Sequence, residues 1–291
     1  MSRISLLAVD SKIPNVALMK LSAYHKNKGD EVKIWEPLFD DPDILYLSKV
    51  FDFTPDVDWY PDCEVIRGGT GYDLHARLTE EQDHTFPDYS LFNCDYALGR
   101  ITRGCPRNCP WCVVPKMDGT RTYKAYDLDE WYSGQSHIRF LDDNILMLPD
   151  VFCELAEQIP DGVTAEFDAL DIRMVTPDTA RALKKIKRKK DAVLHFAWDD
   201  ERAEDSVVKG IRLLEAAGIK PRNLMFYVLI GYNTPKYYDL HRCETLRALG
   251  AYPFVMPFDK SDPYQKAFAR WANHKAIFKT VSWEDYRGGK V

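Results

Sequence analysis

The chain has 291 residues, 45% of them hydrophobic and 29% charged, a composition that suits a folded globular protein with one large core or two smaller ones. A formal net charge of −6 offers no global attraction to a phosphate backbone, and no apolar run approaches the roughly 18 residues that a membrane span needs. Seven cysteines, three of them within eight residues, argue against a secreted disulfide framework and for metal chemistry in a reducing, cytoplasmic compartment.

The first residues, MSRISLLAVDSKIP, carry a short apolar stretch ended by Asp10 and Lys12, so they read as a first strand and not as a secretory signal. Residues 15–28 follow as an amphipathic helix with Val16, Met19, Leu21 and Tyr24 among its apolar positions, and Gly29 closes it before the strand EVKIW. DILYLS and CEVIRGG supply two more short strands, which predicts a small open parallel α/β sheet over residues 1–75. GGTGYD, residues 68–73, is either a tight turn or a place where bare backbone amides approach a ligand. Residues 76–95 lack apolar periodicity and read as a connector, which sets a first domain at 1–94.

From Tyr96 onward the pattern is regular. Strand-like runs occur at YALGRIT, IRFLDD, TAEFDALDI, AVLHFAW, NLMFYVLI and AYPFVMP, most of them separated by helical stretches. Thr176 before Pro177 marks one helix start, and Gly218 and Gly250 mark two helix ends. Six strand-helix repeats are too few for a closed eight-unit barrel, so a partial (β/α)6 barrel is expected over 95–260. The segment 261–291, with Phe268, Trp271, Phe278 and Trp283, is expected to pack on that barrel as helix and coil. The basic run KKIKRKK, residues 184–190, reads as the solvated last turns of a helix, or else as a contact for an anionic partner.

Three cysteines, Cys105, Cys109 and Cys112, stand in the Pro-containing stretch ITRGCPRNCPWCVVP, immediately after the first barrel strand. Such a loop cannot be helical throughout, and it can wrap a metal cluster. A four-iron cluster takes four ligands, so three thiolates leave one iron without a protein donor. A zinc site is the alternative, closed by a fourth donor such as His84, His137 or Cys94. Cys63, Cys94, Cys153 and Cys243 otherwise read as small buried hydrophobes.

GCPRNCPWC, with Trp111 directly before the third cysteine, resembles the Cys-x3-Cys-x2-Cys signature of the radical S-adenosylmethionine superfamily. The resemblance spans residues 95–260 and implies a 4Fe-4S cluster on Cys105, Cys109 and Cys112 whose open iron binds S-adenosylmethionine. Reductive cleavage then gives a 5'-deoxyadenosyl radical that abstracts hydrogen from a substrate, with electrons from a donor such as flavodoxin or ferredoxin. It also implies that Asp142 and Asp143 hold the methionine amino group, Arg173 its carboxylate, Asp199 the ribose, and that Gly231 lets the adenosyl group approach the backbone; the residues by themselves read equally as cap or loop carboxylates at Asp142 and Asp143 and as a salt bridge from Arg173 to Asp171 or Asp168. Val255 and Met256 either flank the adenine or pack in the core.

The order of a small sheet domain before the barrel resembles the subgroup with an N-terminal cobalamin-binding-like domain, which makes cobalamin-dependent methyl transfer an alternative. No Asp-x-His-x-x-Gly motif for the metal of cobalamin occurs. Val113, Val114 and Pro115 resemble the methylthiotransferases more distantly, but only Cys63 and Cys94 precede the motif, too few for a second cluster. A conventional α/β methyltransferase would need a Gly-rich first loop, and residues 10–15 contain no glycine. The competing class is a non-catalytic, metal-stabilised protein that binds nucleic acid through residues 184–190.

Overall fold

Strand β1 (Arg3–Ala8) is buried along Ile4, Ser5 and Leu6, as a strand covered on both faces should be. The computed structural model describes residues 1–232 and 234–288; Asn233 of the GYNTP stretch and residues 289–291 of the C-terminal segment lie outside them. The chain divides into two compact units, Met1–Asp143 and Asn144–Val291. Among the described residues, no helix is long and apolar enough to cross a membrane.

In the first unit the Asn15 side chain accepts the Leu18 N–H at 3.1 Å and starts α1 (Val16–Asn27). His25 and Lys26 lie in its last turn, where cations complement the helix dipole. The chain returns to β2 (Glu31–Ile34), then β3 (Ile44–Ser48) and β4 (Glu64–Gly68) build outward from the other side of β1. All neighbours are parallel, in the order β2-β1-β3-β4. One face packs Ile4, Leu6 and Tyr46 on Leu18 and Leu21 of α1, and the other gathers Trp35, Leu45 and Leu47. The strand order reverses between β1 and β3, the usual place for a ligand crevice in such sheets. Here Asp10 spans that point, accepting the Val50 and Phe51 N–H groups at 2.8 and 2.9 Å and the Thr54 hydroxyl at 2.9 Å.

The connector contains the short helix α2 (Glu80–Asp83), started by a capping box between Thr79 and Gln82, and a 3-10 turn at Tyr89–Phe92. Beyond it come β5 (Ala97–Gly99), β6 (Thr102–Arg103), α3 (Val114–Met117), β7 (Tyr123–Lys124) and β8 (His137–Phe140). β8 pairs with β5 in parallel, whereas β6 and β7 form a small antiparallel clasp.

The second unit alternates regularly: α4 (Pro149–Gln158), β9 (Thr164–Phe167), α5 (Pro177–Lys185), β10 (Leu194–Ala197), α6 (Glu204–Ala216), β11 (Leu224–Ile230), α7 (Lys236–Ala248) and β12 (Tyr252–Pro257). β10, β11 and β12 form a parallel sheet, and a parallel bridge between Leu170 and Phe196 joins the segment after β9 to it. Leu224, Phe226, Val228 and Ile230 are buried on one face of β11, with the residues between them only half-buried. Thr176 caps α5 with Pro177 in its first turn, as the sequence predicts. Three closing helices, α8 (Pro263–Asn273), α9 (Lys275–Thr280) and α10 (Trp283–Gly288), cluster Phe268, Trp271, Phe278 and Trp283. The Asn273 amide bonds both backbone groups of Val255, at 2.7 and 3.0 Å, and so covers the open edge of β12.

The architecture is therefore mixed α/β, built from small, mostly parallel sheets, and among the described residues the strands close no barrel. One local expectation changes and one choice between two readings is decided. The helix expected through residues 184–190 stops at Lys185, because Ile186 is buried and Lys187 bridges to Thr164. The residues 68–73 form the tight turn: the Gly71 N–H bonds the Lys49 carbonyl, and those of Tyr72 and Asp73 bond the Gly69 carbonyl, at 2.9, 3.0 and 3.0 Å. Those amides are taken up by the turn and by the neighbouring Lys49 carbonyl.

Candidate metal centre

The cysteine loop runs from β6 to α3 and is pinned at its base. Gly104 adopts φ +81°, and a Cβ there would lie 2.3 Å from the Arg121 carbonyl oxygen, so glycine is required twice over. Its N–H donates to Asp143 Oδ2 at 2.9 Å and its carbonyl accepts the Thr122 hydroxyl at 2.9 Å. The Cys105 N–H bonds the Gly119 carbonyl at 3.2 Å, and the Cys112 N–H closes a turn onto the Cys109 carbonyl at 3.0 Å. Asn108, at φ +47°, makes the left-handed bend between the first two cysteines.

Cys105, Cys109, Trp111 and Cys112 are all half-buried, so the thiols lie at a surface and not in the core. Burial pushes the Cys112 thiol up, and the charges of Cys105 and Asp143 push it further, which puts these three groups in one electrostatic neighbourhood. Metal binding must displace that proton.

The two aspartates after β8 do different things. Asp142 is buried; its carboxylate accepts the Ile101 N–H at 3.1 Å and the Thr102 N–H and hydroxyl at 2.6 Å each. Burial raises it to about 6 in spite of those bonds. Its oxygens are thus engaged by the β5–β6 junction, a structural use in place of the ammonium contact expected from the resemblance. Asp143 is also raised by burial, against the pull of Arg100 3.8 Å away, and it faces the cysteine loop through Gly104.

The conceivable fourth donors have other partners. The Cys94 thiol donates to the Tyr96 carbonyl at 3.2 Å, His84 Nδ1 lies 2.6 Å from Glu130, and the buried His137 ring lies 6.0 Å from that of Tyr96.

A cavity of about 240 Å³ also lies in the first unit, with Lys20, Arg77, Arg100, Arg103, Asp118 and Tyr126 in its wall. Its charges are matched internally: Arg100 and Arg103 reach Asp118 at 3.2 and 3.3 Å, and Lys20 and Arg103 reach Asp83 at 3.0 Å each.

The remaining expected residues belong to the second unit. Arg173 points its fork at Asp171, Nε and one terminal nitrogen lying 2.7 and 3.0 Å from the two carboxylate oxygens. A substrate carboxylate would have to use its other N–H groups. Asp199 accepts the Leu229 N–H at 2.8 Å; burial raises it while Arg242 and Arg173 pull it back, so Arg173 and Asp199 share a neighbourhood. Gly231, at φ +78°, lies so close to the Gln265 side chain that a Cβ would meet it at 2.2 Å. Gln265 occupies the approach that the resemblance assigns to an adenosyl group. Val255 is buried and Met256 exposed, so only Met256 is open to a ligand.

The sequence does not single out Glu166 or His195, and it offers Asp168 only as a partner for Arg173; the structure draws these three together. The available signal was polar residues alternating inside apolar runs, TAEFD and LHFA.

No protein-family model matches the chain, and no curated protein matches it.

Proposed function

We propose that the protein is a radical S-adenosylmethionine enzyme whose Cys105, Cys109 and Cys112 hold a 4Fe-4S cluster. The observation that carries this reading is the cysteine loop: three half-buried thiols on one short segment with its base fixed by Gly104, Gly119 and Asp143. Three cysteines with no fourth thiolate or imidazole at knuckle spacing suit a cluster with an open iron better than a closed zinc tetrahedron. When bound, the cluster supplies an electron that cleaves S-adenosylmethionine and leaves an adenosyl radical for hydrogen abstraction.

The chain's own residues orient and exclude. Asp143 holds the loop through the Gly104 amide, and Trp111 lies beside the third thiol in sequence. Arg173 and Asp199 are the candidates for the polar parts of the cofactor. The parallel strand-helix units from β5 to β12 are read as a partial (β/α)6 barrel. A reduced flavodoxin or ferredoxin is the electron donor this chemistry calls for, and a reducing cytoplasm the compartment.

Nucleic-acid binding is disfavoured by the engagement of Lys184, Lys185 and Arg188 with Gly218, Glu157 and Leu183. Anaerobic reconstitution with iron and sulfide tests the proposal: under dithionite the protein is expected to release 5'-deoxyadenosine from S-adenosylmethionine. C105A, C109A and C112A should each abolish release. A colourless protein holding one zinc ion would overturn the reading.

A further inference from the structure

We infer that Glu166, Asp168 and His195 form a second metal site, one that takes a divalent transition-metal ion through two carboxylates and an imidazole. Nothing in this assignment depends on the cysteine loop. One ligand atom from each of the three side chains lies within 4.8 Å of the others. Metal–oxygen and metal–nitrogen bonds of about 2.0–2.2 Å put donors on one ion within about 4.4 Å of each other, so small side-chain rotations complete the set.

The geometry follows from strand periodicity. Glu166 and Asp168 are two residues apart along β9 and its continuation, hence on the same face, while Ala165 and Phe167 between and beside them are buried on the other. His195 stands between the buried Leu194 and Phe196 on β10 in the same way. Register is fixed by the backbone: the Ala165 N–H bonds the Lys187 carbonyl at 2.8 Å, and the Leu170 N–H bonds the carbonyl of His195 itself at 3.0 Å. Aromatic packing then orients the imidazole. The Tyr227 ring meets it edge-on with centroids 5.7 Å apart, and Phe254 meets Tyr227 at 5.8 Å and 85°. Two carboxylates held this close repel one another, and a cation between them removes that repulsion.

Two oxygens and one nitrogen, with no thiolate, favour Mn²⁺, Fe²⁺ or Zn²⁺ over Mg²⁺ or Ca²⁺, because imidazole suits the transition metals. Three protein donors leave coordination positions for water or for an anionic oxygen of a substrate, a carboxylate or phosphate. The half-exposed Phe254 and Met256 on β12 give the same region an apolar border.

Mn²⁺ is the probe of choice, since thiolates such as those of the cysteine loop prefer softer ions. Titration of the full chain, followed by the paramagnetic resonance of free Mn²⁺, is expected to show one saturable site per chain, unchanged in a C105A/C109A/C112A variant. H195A and D168N should weaken it by at least about tenfold while circular dichroism stays the same. Because a variant can fail by unfolding, the bound ion in the unmodified protein should also show nitrogen hyperfine coupling from the imidazole. Absence of saturable binding at millimolar Mn²⁺, absence of that coupling, or loss of the site in the cysteine variant would each overturn the assignment.

Discussion

Asp142, buried beneath the cysteine loop, binds a proton far more readily than an aspartate in water: burial lifts it from 3.8 to about 6. The folded state therefore takes up a proton that the unfolded chain does not bind between those two values. The associated stability is complete below the ordinary carboxylate value and is lost as the pH rises through about 6. The difference corresponds to about 3 kcal/mol. Denaturant midpoints measured from pH 4 to 7 should fall with rising pH in the wild type, and D142N, whose amide oxygen can still accept from Ile101 and Thr102, should flatten that slope. At Gly104, alanine must adopt a positive φ and meet the Arg121 carbonyl; G104A is expected to cost about 1–3 kcal/mol and to lower iron loading, read by thermal melts and iron assay. The cysteine spacing was plain in the sequence because it is local. So was the pairing of Arg173 with Asp171, two residues away, whereas the work of Asp142 and Gly231 was not, because it depends on which group the fold brings from elsewhere: Thr102 lies 40 residues before Asp142.

At the scale of elements, strands and helices were legible wherever a local signal coincided with burial. Asn15 caps α1, Thr176 and Pro177 open α5, and Gly218 follows α6, each as its residue type dictates. The run at 184–190 was misread as helix throughout since charge pattern says nothing of Ile186, whose burial takes the chain into an extended path. Nor does the sequence announce the ion pair that docks α7. Arg242 is fully buried; it bonds Asp239 at 2.6 Å, the Trp198 carbonyl at 2.7 Å and the Leu229 carbonyl at 2.9 Å, so it links α7 to the ends of β10 and β11. D239A leaves that charge without its carboxylate and is expected to cost about 3–5 kcal/mol in urea unfolding. The double variant D239L/R242M should recover much of the loss, because an apolar pair avoids the desolvation of two ions.

At the scale of the whole molecule, a net charge of −6 and a basic run in which Lys184, Lys185 and Arg188 bond within the chain leave little to attract a polyanion. Fluorescence anisotropy with labelled single-stranded DNA or RNA at physiological salt is expected to show no saturable binding below micromolar protein; tight, steeply salt-dependent binding would favour the nucleic-acid reading instead. The parallel arrangement of β10, β11 and β12 was legible from alternating strand and helix patterns, whereas the division after Asp143 has no counterpart in composition. The most direct test of the central claim is electron paramagnetic resonance of the anaerobically reconstituted, dithionite-reduced protein, with and without S-adenosylmethionine. A four-iron cluster held by Cys105, Cys109 and Cys112 with its fourth iron open predicts a reduced signal whose g-values shift when S-adenosylmethionine is added. A protein with no such signal, or with one indifferent to S-adenosylmethionine, would contradict the account.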